Sequence, residues 1–442
     1  MLVAQINTAA RPNIVVIMTD DQTLEMMRVL TKTRRLIGDQ GTTFRNYYVS
    51  FPLCCPSRAI FLTGQYPHNN GVFGNRPPRG GYTKLDNNNT LPVWLQQAGY
   101  YTSHIGKYLN GYGEDTAPTL VPPGWTDWQG RVAGAGGYYN HTINDNGQLV
   151  RYGESEEDYQ TDVLADRAVE TIAEAAQRQP FFLSIGTIAP HVPAMPAPRH
   201  EGAFDNEPLR KSPSYNEEDM SDKPSFIRNR PLISPEQEQE LTASHRGRLG
   251  SLLAVDDLVE RVVDALADAG VLNNTVLIFT SDNGWFLGEH RITRGKILAY
   301  EEAARMPLLI RGGGFPKGAT VDQVVGNIDL APTIIDLADA APGRVMDGRS
   351  LLPLGSDPNF GKARDLLIET LRYQAVRNES FLYVEHDTGE QELYDMRPGS
   401  ANYDPYQLES RHADSAYSQI MAELAGKLNQ LRTCSGISCQ VQ

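Results

Sequence analysis

Short hydrophobic runs alternate with segments of helical spacing along most of the chain. Asn13–Thr19 is a continuous β-branched run, typical of a strand covered on both faces, and residues 24–37 have helical spacing. Together they predict a βα unit, and the same alternation recurs. Further strands are predicted at 100–105, 181–188, 275–281 and 307–310, and helices at 91–98, 158–177, 235–269 and 331–338. This order predicts an α/β fold with a mostly parallel sheet and helices on both faces.

Two regions depart from this alternation. Nine prolines from Pro190 to Pro235 predict a long ordered excursion over the surface, of the kind that often roofs a site. Beyond residue 360 the pattern predicts short antiparallel strands at 373–378, 381–386 and 392–394 and a helix at 415–431. We therefore expect a catalytic α/β domain over residues 1–360 and a small C-terminal α+β subdomain over residues 361–442.

Composition narrows the function classes. The 442 residues include 40 Lys and Arg against 54 Asp and Glu, a formal charge of −14 that opposes non-specific binding to nucleic acid or to anionic membranes. No apolar stretch is long enough for a membrane span. The first 13 residues lack the pattern of an intact secretory signal, so we expect either an intracellular protein or one whose signal is missing from this chain.

The four cysteines form two pairs in the sequence. Cys54 and Cys55 are adjacent, a spacing that allows a mutual bridge only with strain. Cys434 and Cys439 suit a small disulfide loop, which favours an oxidising compartment; two free thiols are the alternative.

Polar residues follow two of the predicted strands. Asp20 and Asp21 come directly after the first strand, and Asp282 and Asn283 directly after the 275–281 strand. Ligands of open α/β sheets bind outside the carboxyl ends of the strands, so the two pairs are expected to converge. Four oxygen donors suit Ca²⁺ or Mg²⁺ rather than zinc. The alternative is that each pair makes turns or helix caps.

A possible nucleophile stands beside an expected helix start. Pro56 suits the first position of a two-turn helix, which places Cys54 just before a positively polarised N-terminus. Arg58, one turn later, has a planar guanidinium suited to a tetrahedral oxyanion. The alternative is a pair of buried cysteines packed beside a helix start.

This segment resembles the signature of the type I sulfatases, in which the first cysteine is oxidised to Cα-formylglycine. The resemblance extends over nearly the whole chain, and several motifs are similar to the branch of N-acetylglucosamine-6-sulfatases and extracellular heparan endosulfatases. The matching motifs are Cys54-x-Pro-Ser-Arg58 with Leu62-Thr-Gly64, Thr19-Asp-Asp-Gln22, Gly106-Lys-Tyr-Leu-Asn110, Val121-Pro-Pro-Gly-Trp125, Ala189-Pro-His191, Ser251–Glu260, Thr280-Ser-Asp-Asn-Gly284 and Cys434-Ser-Gly-x-x-Cys439.

The resemblance implies an alkaline-phosphatase-like α/β/α sandwich and a role for each matching residue. Cys54 would become the formylglycine and would bind Ca²⁺, or Mg²⁺, together with the two acidic pairs. Arg58 and Lys107 would steady the modified side chain and the sulfate, while His191 and Lys296 would contact the sulfate and the leaving oxygen. The metal-bound ligands implied are Asp20, Asp21, Cys54, Asp282 and Asn283.

The implied reaction is hydrolysis of a sulfate ester. One hydroxyl of the hydrated aldehyde, activated by the metal and Asp282, attacks sulfur, and deprotonation of the second hydroxyl expels sulfate. Many sulfatases carry a histidine two residues after the matching lysine, where this chain has Leu109. Among the other histidines, we expect His290 to face the substrate and to substitute for the missing one. We expect His68 and His104 to have structural roles.

We expect the substrate to be a sulfated carbohydrate, such as 6-O-sulfated N-acetylglucosamine. An aryl sulfatase, or a phosphonate monoester or phosphodiester hydrolase using the same site, is the alternative; a non-catalytic binder of sulfated glycans is a third. The resemblance also implies a formylglycine-generating enzyme as a maturation partner. It favours a secreted, periplasmic or lysosomal location, with a cytoplasmic one left open.

Overall fold

The computed structural model describes residues 11–440 with the exception of 135, 179 and 362–363. The expectation about a secretory signal falls mostly on residues 1–10, outside the described residues. Among the residues described, no helix is both long and apolar enough to cross a bilayer.

A large mixed sheet forms the centre of the fold. Over the described residues it has eleven strands, and its central order β8-β1-β7-β3-β4 is parallel, with antiparallel pairings towards both edges. The full order is β11-β2-β10-β8-β1-β7-β3-β4-β5-β6, and β9 pairs with β2. The strands are β1 Asn13–Thr19, β2 Thr42–Tyr48, β3 Tyr101–Gly106, β4 Asp127–Arg131, β5 Thr142–Asp145, β6 Gln148–Arg151, β7 Phe181–Gly186, β8 Thr275–Ser281, β9 Arg305–Met306, β10 Leu308–Arg311 and β11 Ala319–Gly326.

Helices cover both faces of this sheet. On β1, Val15 and Ile17 belong to the hydrophobic cluster built with α5 and α7, whereas Ile14 and Val16 belong to the cluster built with α2, α4 and α9. The expected α/β/α sandwich is therefore confirmed. The helices are α1 Thr31–Thr33, α2 Cys54–Thr63, α3 Pro67–Asn70, α4 Leu91–Gln97, α5 Gln160–Ala175, α6 Ser225–Arg228, α7 Pro235–Asp268, α8 Glu301–Ala304, α9 Leu330–Ala338, α10 Leu352–Ser356 and α11 Ser418–Leu431.

A smaller antiparallel sheet follows near the C-terminus, as expected. Its order is β12-β13-β14-β15, formed by Leu366–Glu369, Tyr373–Arg377, Phe381–His386 and Gln391–Asp395. It shares a hydrophobic cluster with α11 and with Tyr48, Phe51 and Phe286, which belong to the α/β region that contains the large sheet. The disulfide between Cys434 and Cys439 is present. The domain boundary at residues 360/361 stays a prediction.

The prediction of one helix over residues 24–37 is wrong. The segment is a 3₁₀-helix, Leu24–Val29, followed by α1 and a π-helical turn, Arg34–Gly38. The backbone N–H groups of Lys32 and Thr33 donate to the Asp256 carboxylate at 2.9 and 2.7 Å. In a continuous helix these two N–H groups would donate to backbone carbonyls of the same helix; here the Asp256 side chain on α7 accepts them instead.

Candidate active site

The ends of two neighbouring strands bring the acidic pairs together. Thr19 on β1 is in register with Ser281 on β8, so Asp20 and Asp282 both leave the sheet at the same edge. The Asp21 backbone N–H donates to Asp282 Oδ1 at 3.2 Å. Asp20, Asp21, Asp282 and Asn283 are all buried. The convergence expected from the strand ends is present in the structure.

Asp21 has a left-handed backbone, with φ at 68°. This conformation is uncommon outside glycine, although Asp tolerates it better than most residues. Its backbone carbonyl accepts a 2.6 Å hydrogen bond from Arg248 Nη2, and Arg248 is completely buried on α7. Arg248 therefore supports the turn that directs the Asp21 carboxylate into the cluster.

Cys54 lies against this acidic cluster. It is the first residue of α2 and does not precede the helix, contrary to the start expected at Pro56, and its side chain is buried. Its Sγ atom lies 3.3 Å from Asp20 Oδ1 and 2.9 Å from Lys296 Nζ. The thiol is thus held between a carboxylate and an ammonium group.

Arg58 and Lys107 form the adjoining part of the site. Arg58, one turn along α2, donates from Nε to Asp282 Oδ2 and from Nη1 to the Lys107 carbonyl, both at 2.7 Å. Lys107 follows β3 directly, and its Nζ contacts Asp20 Oδ2 and lies 4.0 Å from Asp282 Oδ2. A side chain at Gly186 would come within 2.2 Å of the Lys107 carbonyl, so the glycine permits this close approach.

Lys296 and His191 complete the group of positive side chains. Lys296 Nζ contacts Asp21 Oδ1, and the Lys296 side chain is only 7% exposed. His191 Nε2 lies 3.7 Å from Asp21 Oδ2, with 41% of the side chain exposed. His191 is therefore the member of the cluster that is best placed to meet a ligand arriving from solvent.

The local charges determine how these groups ionise. Burial raises the pKa of Asp20, but the positive charges of Lys107, His191, Lys296 and Arg58 outweigh it and hold that pKa well below its usual value. Burial and the Asp20 carboxylate raise the pKa of the Cys54 thiol to about 12. Because the thiolate is the nucleophilic form of cysteine, an unmodified Cys54 would be a poor nucleophile near neutral pH.

The same cluster can hold a divalent cation. Ligand atoms of Asp20, Asp21, Cys54 and Asp282 all lie within 4.8 Å of one another. Among the described residues, Asp21 Oδ2 and Asn283 Oδ1 are buried oxygens without a hydrogen-bond partner. Buried acceptors of this kind normally have a partner, and carboxylate and amide oxygens are ligands that Ca²⁺ and Mg²⁺ prefer.

The structure does not bring His290 to this cluster. His290 is completely buried, its Nδ1 lies 2.8 Å from Glu217 Oε2, and its ring packs on Tyr300 with a centroid distance of 4.2 Å. Glu217 belongs to the 190–235 excursion, so His290 joins that excursion to the body of the protein. We therefore do not include His290 among the groups that meet substrate.

His104 and His68 have structural surroundings, as the sequence favoured. His104 stacks on Trp128 with ring centroids 4.9 Å apart, and burial lowers its pKa to about 3. His68 lies with Nδ1 2.7 Å from Glu369 Oε1 and Nε2 2.9 Å from the Cys434 carbonyl. It thereby ties α3 to the C-terminal region.

A cavity of about 940 Å³ opens beside the cluster. Asp20, Lys107 and His191 are among the residues that line it, and the start of the 190–235 excursion contributes Val192, Pro193 and Met195. Sequence reasoning did not single out Arg131 in this lining and did not predict strand β4, which carries it, because β4 has no β-branched run. It also missed Trp285, whose ring centroid lies 5.7 Å from Lys296 Nζ and 6.3 Å from the His191 ring.

Comparisons with known proteins agree with this geometry. The family model described as Sulfatase matches residues 12–340, and the model described as N-sulphoglucosamine sulphohydrolase, C-terminal, matches residues 288–434. The chain is similar to an N-acetylglucosamine-6-sulfatase of Capra hircus, with 35% identity over 97% of this chain and 85% of the relative. It is also similar to an extracellular sulfatase SULF-1 homolog of Drosophila melanogaster, with 36% identity over 78% of this chain but only 31% of that protein.

A solved structure has the same fold over almost the whole chain. It is described as a complex with its substrate, D-glucosamine-2-N,6-O-disulfate. The match has a TM-score of 0.83 and 25% identity and covers 96% of this chain and 97% of the other. The family model covers most of the chain, and the goat relative matches it nearly end to end; the protein therefore belongs to the sulfatase family, whose members are sulfuric ester hydrolases.

Proposed function

We propose that this sulfatase removes 6-O-sulfate from N-acetylglucosamine-type sugars and that its nucleophile derives from Cys54. The contact that carries the proposal is the position of Cys54 Sγ between Asp20 Oδ1 and Lys296 Nζ, at 3.3 and 2.9 Å. The name of the goat relative supports the sugar, as does the substrate described for the solved complex.

Conversion of Cys54 to formylglycine accounts for a site that suppresses thiol chemistry. The surroundings raise the thiol pKa to about 12, so they work against a cysteine nucleophile. A hydrated aldehyde at this position supplies a hydroxyl nucleophile and a second hydroxyl whose deprotonation releases sulfate. This use of Cys54 requires a formylglycine-generating enzyme as a maturation partner.

Ca²⁺ is the cation that we assign to the acidic cluster, with Mg²⁺ as the alternative. Asp20, Asp21, Asp282 and Asn283 would hold it, together with the oxygen of the modified residue 54. A bound divalent cation withdraws electron density from a sulfate oxygen and favours the ionised form of a hydroxyl ligand.

Three basic side chains then neutralise the sulfate. Arg58 and Lys107 are anchored by carboxylates and by each other, which fixes their positive charges before the substrate arrives. Lys296 lies within contact of the nucleophilic side chain. Fixed charges of this kind stabilise a transition state without reorganising during the reaction, and they supply the largest part of many rate enhancements.

His191 is the residue that we assign to the leaving oxygen. It is the most exposed member of the cluster and lines the cavity through which a sugar would enter. In that position a protonated imidazole donates its proton to the departing alcohol. Leu109, which replaces the histidine found in many sulfatases, is buried in the hydrophobic core and supplies no base.

We also propose that the protein works outside the cytoplasm. The disulfide near the C-terminus and the similarity to the extracellular sulfatase homolog of Drosophila support this location.

The test is hydrolysis by protein that has been coexpressed with a formylglycine-generating enzyme. Sulfate release is measured from N-acetylglucosamine 6-sulfate, N-acetylgalactosamine 4-sulfate and 4-nitrophenyl sulfate, and release of the alcohol is measured from a phenylphosphonate monoester, with Cys54→Ala as the inactive control. We expect the highest kcat/KM on the 6-sulfate. A preference for the phosphonate would refute the sulfatase assignment, and a preference for the aryl or 4-sulfated compound would refute the substrate.

A further inference from the structure

The side chain of Asn75 lies beside the residue that supplies the nucleophile. Its Oδ1 accepts a 3.0 Å hydrogen bond from the backbone N–H of Cys55, which belongs to the peptide bond that joins Cys54 to Cys55. This N–H is one of those that have no partner within a helix at its N-terminus. The contact fixes the Asn75 amide at the peptide next to Cys54.

The amide nitrogen of Asn75 is available to a ligand. Within the part of the chain that the structure describes, no group accepts a hydrogen bond from Asn75 Nδ2. Asn75 lines the cavity of about 940 Å³ together with Asp20, Lys107 and His191. Two N–H donors are thus held beside Cys54 in the wall of the cavity that the sugar would enter.

Asn110 brings an acceptor to the same cavity. It follows Lys107 by three positions and also lines the cavity. Its Oδ1 is buried, and among the described residues it has no hydrogen-bond partner. Buried acceptors of this kind normally have a partner, so this oxygen is suited to accept a hydrogen bond from a bound molecule.

The two asparagines belong to one part of the cavity wall. A Cβ atom at Gly81 would lie 3.4 Å from the Asn75 carbonyl oxygen and 3.5 Å from the Asn110 carbonyl oxygen, so both backbones pack around this glycine. Burial raises the pKa of the Cys55 thiol to about 12, and hydrogen bonds from the backbones of Gly81 and Asn110 act against this rise. Asn110 is therefore a neighbour of Cys55, as Asn75 is.

This part of the wall suits a hydroxyl group better than a second anion. The charged side chain that follows Asn75, Arg76, is paired with Glu114 at 3.7 Å. The two amides are neutral, and between them they offer donors on Asn75 and an acceptor on Asn110. A sulfate or carboxylate oxygen can only accept a hydrogen bond, whereas a hydroxyl accepts one and donates one.

The place of the two amides next to Cys54 selects one hydroxyl of a 6-sulfated hexosamine. The sulfate on O6 would lie at Cys54, and the amides contact the next residue along the chain. O4 is the ring hydroxyl that the fewest covalent bonds separate from O6. The ring oxygen is nearer, but it has no hydrogen to donate to Asn110.

We infer that Asn75 and Asn110 bind the O4 hydroxyl of the sugar whose 6-O-sulfate lies at Cys54. Asn75 Nδ2 donates to O4, and the O4 hydroxyl donates to Asn110 Oδ1. The inference rests on the proposed function and deepens it, because glucosamine and galactosamine differ only in the configuration at C4. It assigns both asparagines to recognition of the sugar and not to cleavage of the sulfate ester.

The experiment measures kcat/KM for sulfate release from N-acetylglucosamine 6-sulfate, from its 4-deoxy analogue and from its 4-epimer, N-acetylgalactosamine 6-sulfate. Wild type matured with a formylglycine-generating enzyme is compared with Asn110→Ala, Asn75→Ala and the control Asn88→Ala, at an exposed position. The readout is the ratio of kcat/KM on the parent sugar to that on the 4-deoxy analogue, because a defect in folding or maturation lowers both equally.

We expect a wild-type ratio of about ten or more, since removal of the hydroxyl leaves both amides without a partner. Asn110→Ala should reduce the ratio by about three- to tenfold, the effect of one neutral hydrogen bond, and should change kcat/KM on the 4-deoxy analogue by less than about twofold. Asn75→Ala should reduce the ratio to a similar extent, although the lost bond to Cys55 lowers kcat on both sugars.

The 4-epimer should be a poorer substrate than the parent sugar for wild type, and Asn110→Ala should narrow this difference. Asn88→Ala should match wild type in every ratio.

An equal loss on the parent sugar and its 4-deoxy analogue in Asn110→Ala would overturn the inference, because the amide would then act without the O4 hydroxyl. A wild-type ratio near one, or a preference for the 4-epimer, would overturn it as well. Failure of the proposed function has a different signature: wild type would hydrolyse 4-nitrophenyl sulfate but none of the three 6-sulfated sugars.

Discussion

Replacing Lys296 by methionine removes one positive charge from the active site while preserving most of the side-chain length. Lys296 Nζ contacts Asp21 Oδ1, lies 2.9 Å from Cys54 Sγ and packs 5.7 Å from the Trp285 ring centroid. With 7% of the side chain exposed, water cannot replace the ammonium in the folded protein. The variant therefore leaves the buried Asp21 carboxylate without its ammonium partner.

The expected loss of stability follows from that unpaired buried charge. Removing one partner of a buried ion pair costs about 3–5 kcal/mol. Asn283 Nδ2 still donates to Asp21 Oδ1 at 2.6 Å, so the metal-free variant should fall at the lower end, about 3 kcal/mol. Added Ca²⁺ supplies the missing positive charge and should recover most of the loss.

The expected loss of activity is separate from the loss of stability. If Lys296 stabilises charge on the sulfate or the leaving oxygen, its removal should lower kcat by about 10²- to 10³-fold, as for other fixed donors at a developing negative charge. This loss should persist in Ca²⁺, where the variant is folded.

The assay is urea unfolding with Ca²⁺ and with a chelator, followed by sulfate release in Ca²⁺. Lys211→Met is the matched control, because Lys211 pairs with Glu238 at 2.6 Å on the surface with 48% of its side chain exposed. It should change the free energy of unfolding by less than about 1 kcal/mol. If Lys296→Met matches this control in the chelator, or retains wild-type kcat, the reasoning about Lys296 is refuted.

Three further predictions use other parts of the structure. His191→Gln should reduce sulfate release from sugar sulfates by about 10²-fold or more but affect 4-nitrophenyl sulfate much less, because a phenolate leaves without a proton; equal losses measured on both substrates would contradict the assignment of His191 as proton donor. Exhaustive chelation should lower the melting temperature of wild type, and Ca²⁺ should restore it, whereas Asp21→Asn should respond more weakly to Ca²⁺; a wild-type melting temperature indifferent to Ca²⁺ would argue against the cation site. Burial lowers the pKa of His68, but Glu369 and the Cys434 carbonyl raise that pKa by more. Protonation of His68 therefore stabilises the fold below the unfolded-state pKa of about 6.5. This stabilisation is lost as the pH rises through the higher pKa that His68 has in the folded protein. His68→Gln should therefore be less stable than wild type by a larger margin at about pH 5 than at about pH 9 in urea unfolding, and a margin that grows with pH would disprove this linkage.

The acidic ends of β1 and β8 were accessible to sequence reasoning because each strand is a hydrophobic run that stops at a carboxylate. Their adjacency depends on the register of Thr19 with Ser281, a long-range pairing that no local pattern specifies. The expectation that ligands bind at the carboxyl ends of strands supplied the missing step. The resemblance to sulfatases added Lys107, Lys296 and His191, whose local patterns alone predict no site.

Other features depended on tertiary contacts that the sequence does not display. β2 reads as a mixed polar segment, and it is a strand because it pairs with both β10 and β11. His290 follows Asp282 by only eight positions. Its backbone is left-handed, with φ at 50°, and its ring packs on Tyr300 instead of joining the cluster. Strand β4 was not predicted because it contains tryptophan, glutamine and glycine in place of a β-branched run.

The mass of the tryptic peptide from Asn46 to Arg58, taken from protein that hydrolyses sulfate esters, tests the central claim most directly. Conversion of Cys54 to formylglycine should lower the mass by about 18 Da relative to the thiol form, and fragmentation should assign the change to residue 54 while Cys55 remains a thiol. Unmodified Cys54 in fully active protein would contradict the account, because the buried thiol would then have to act in surroundings that oppose its ionisation.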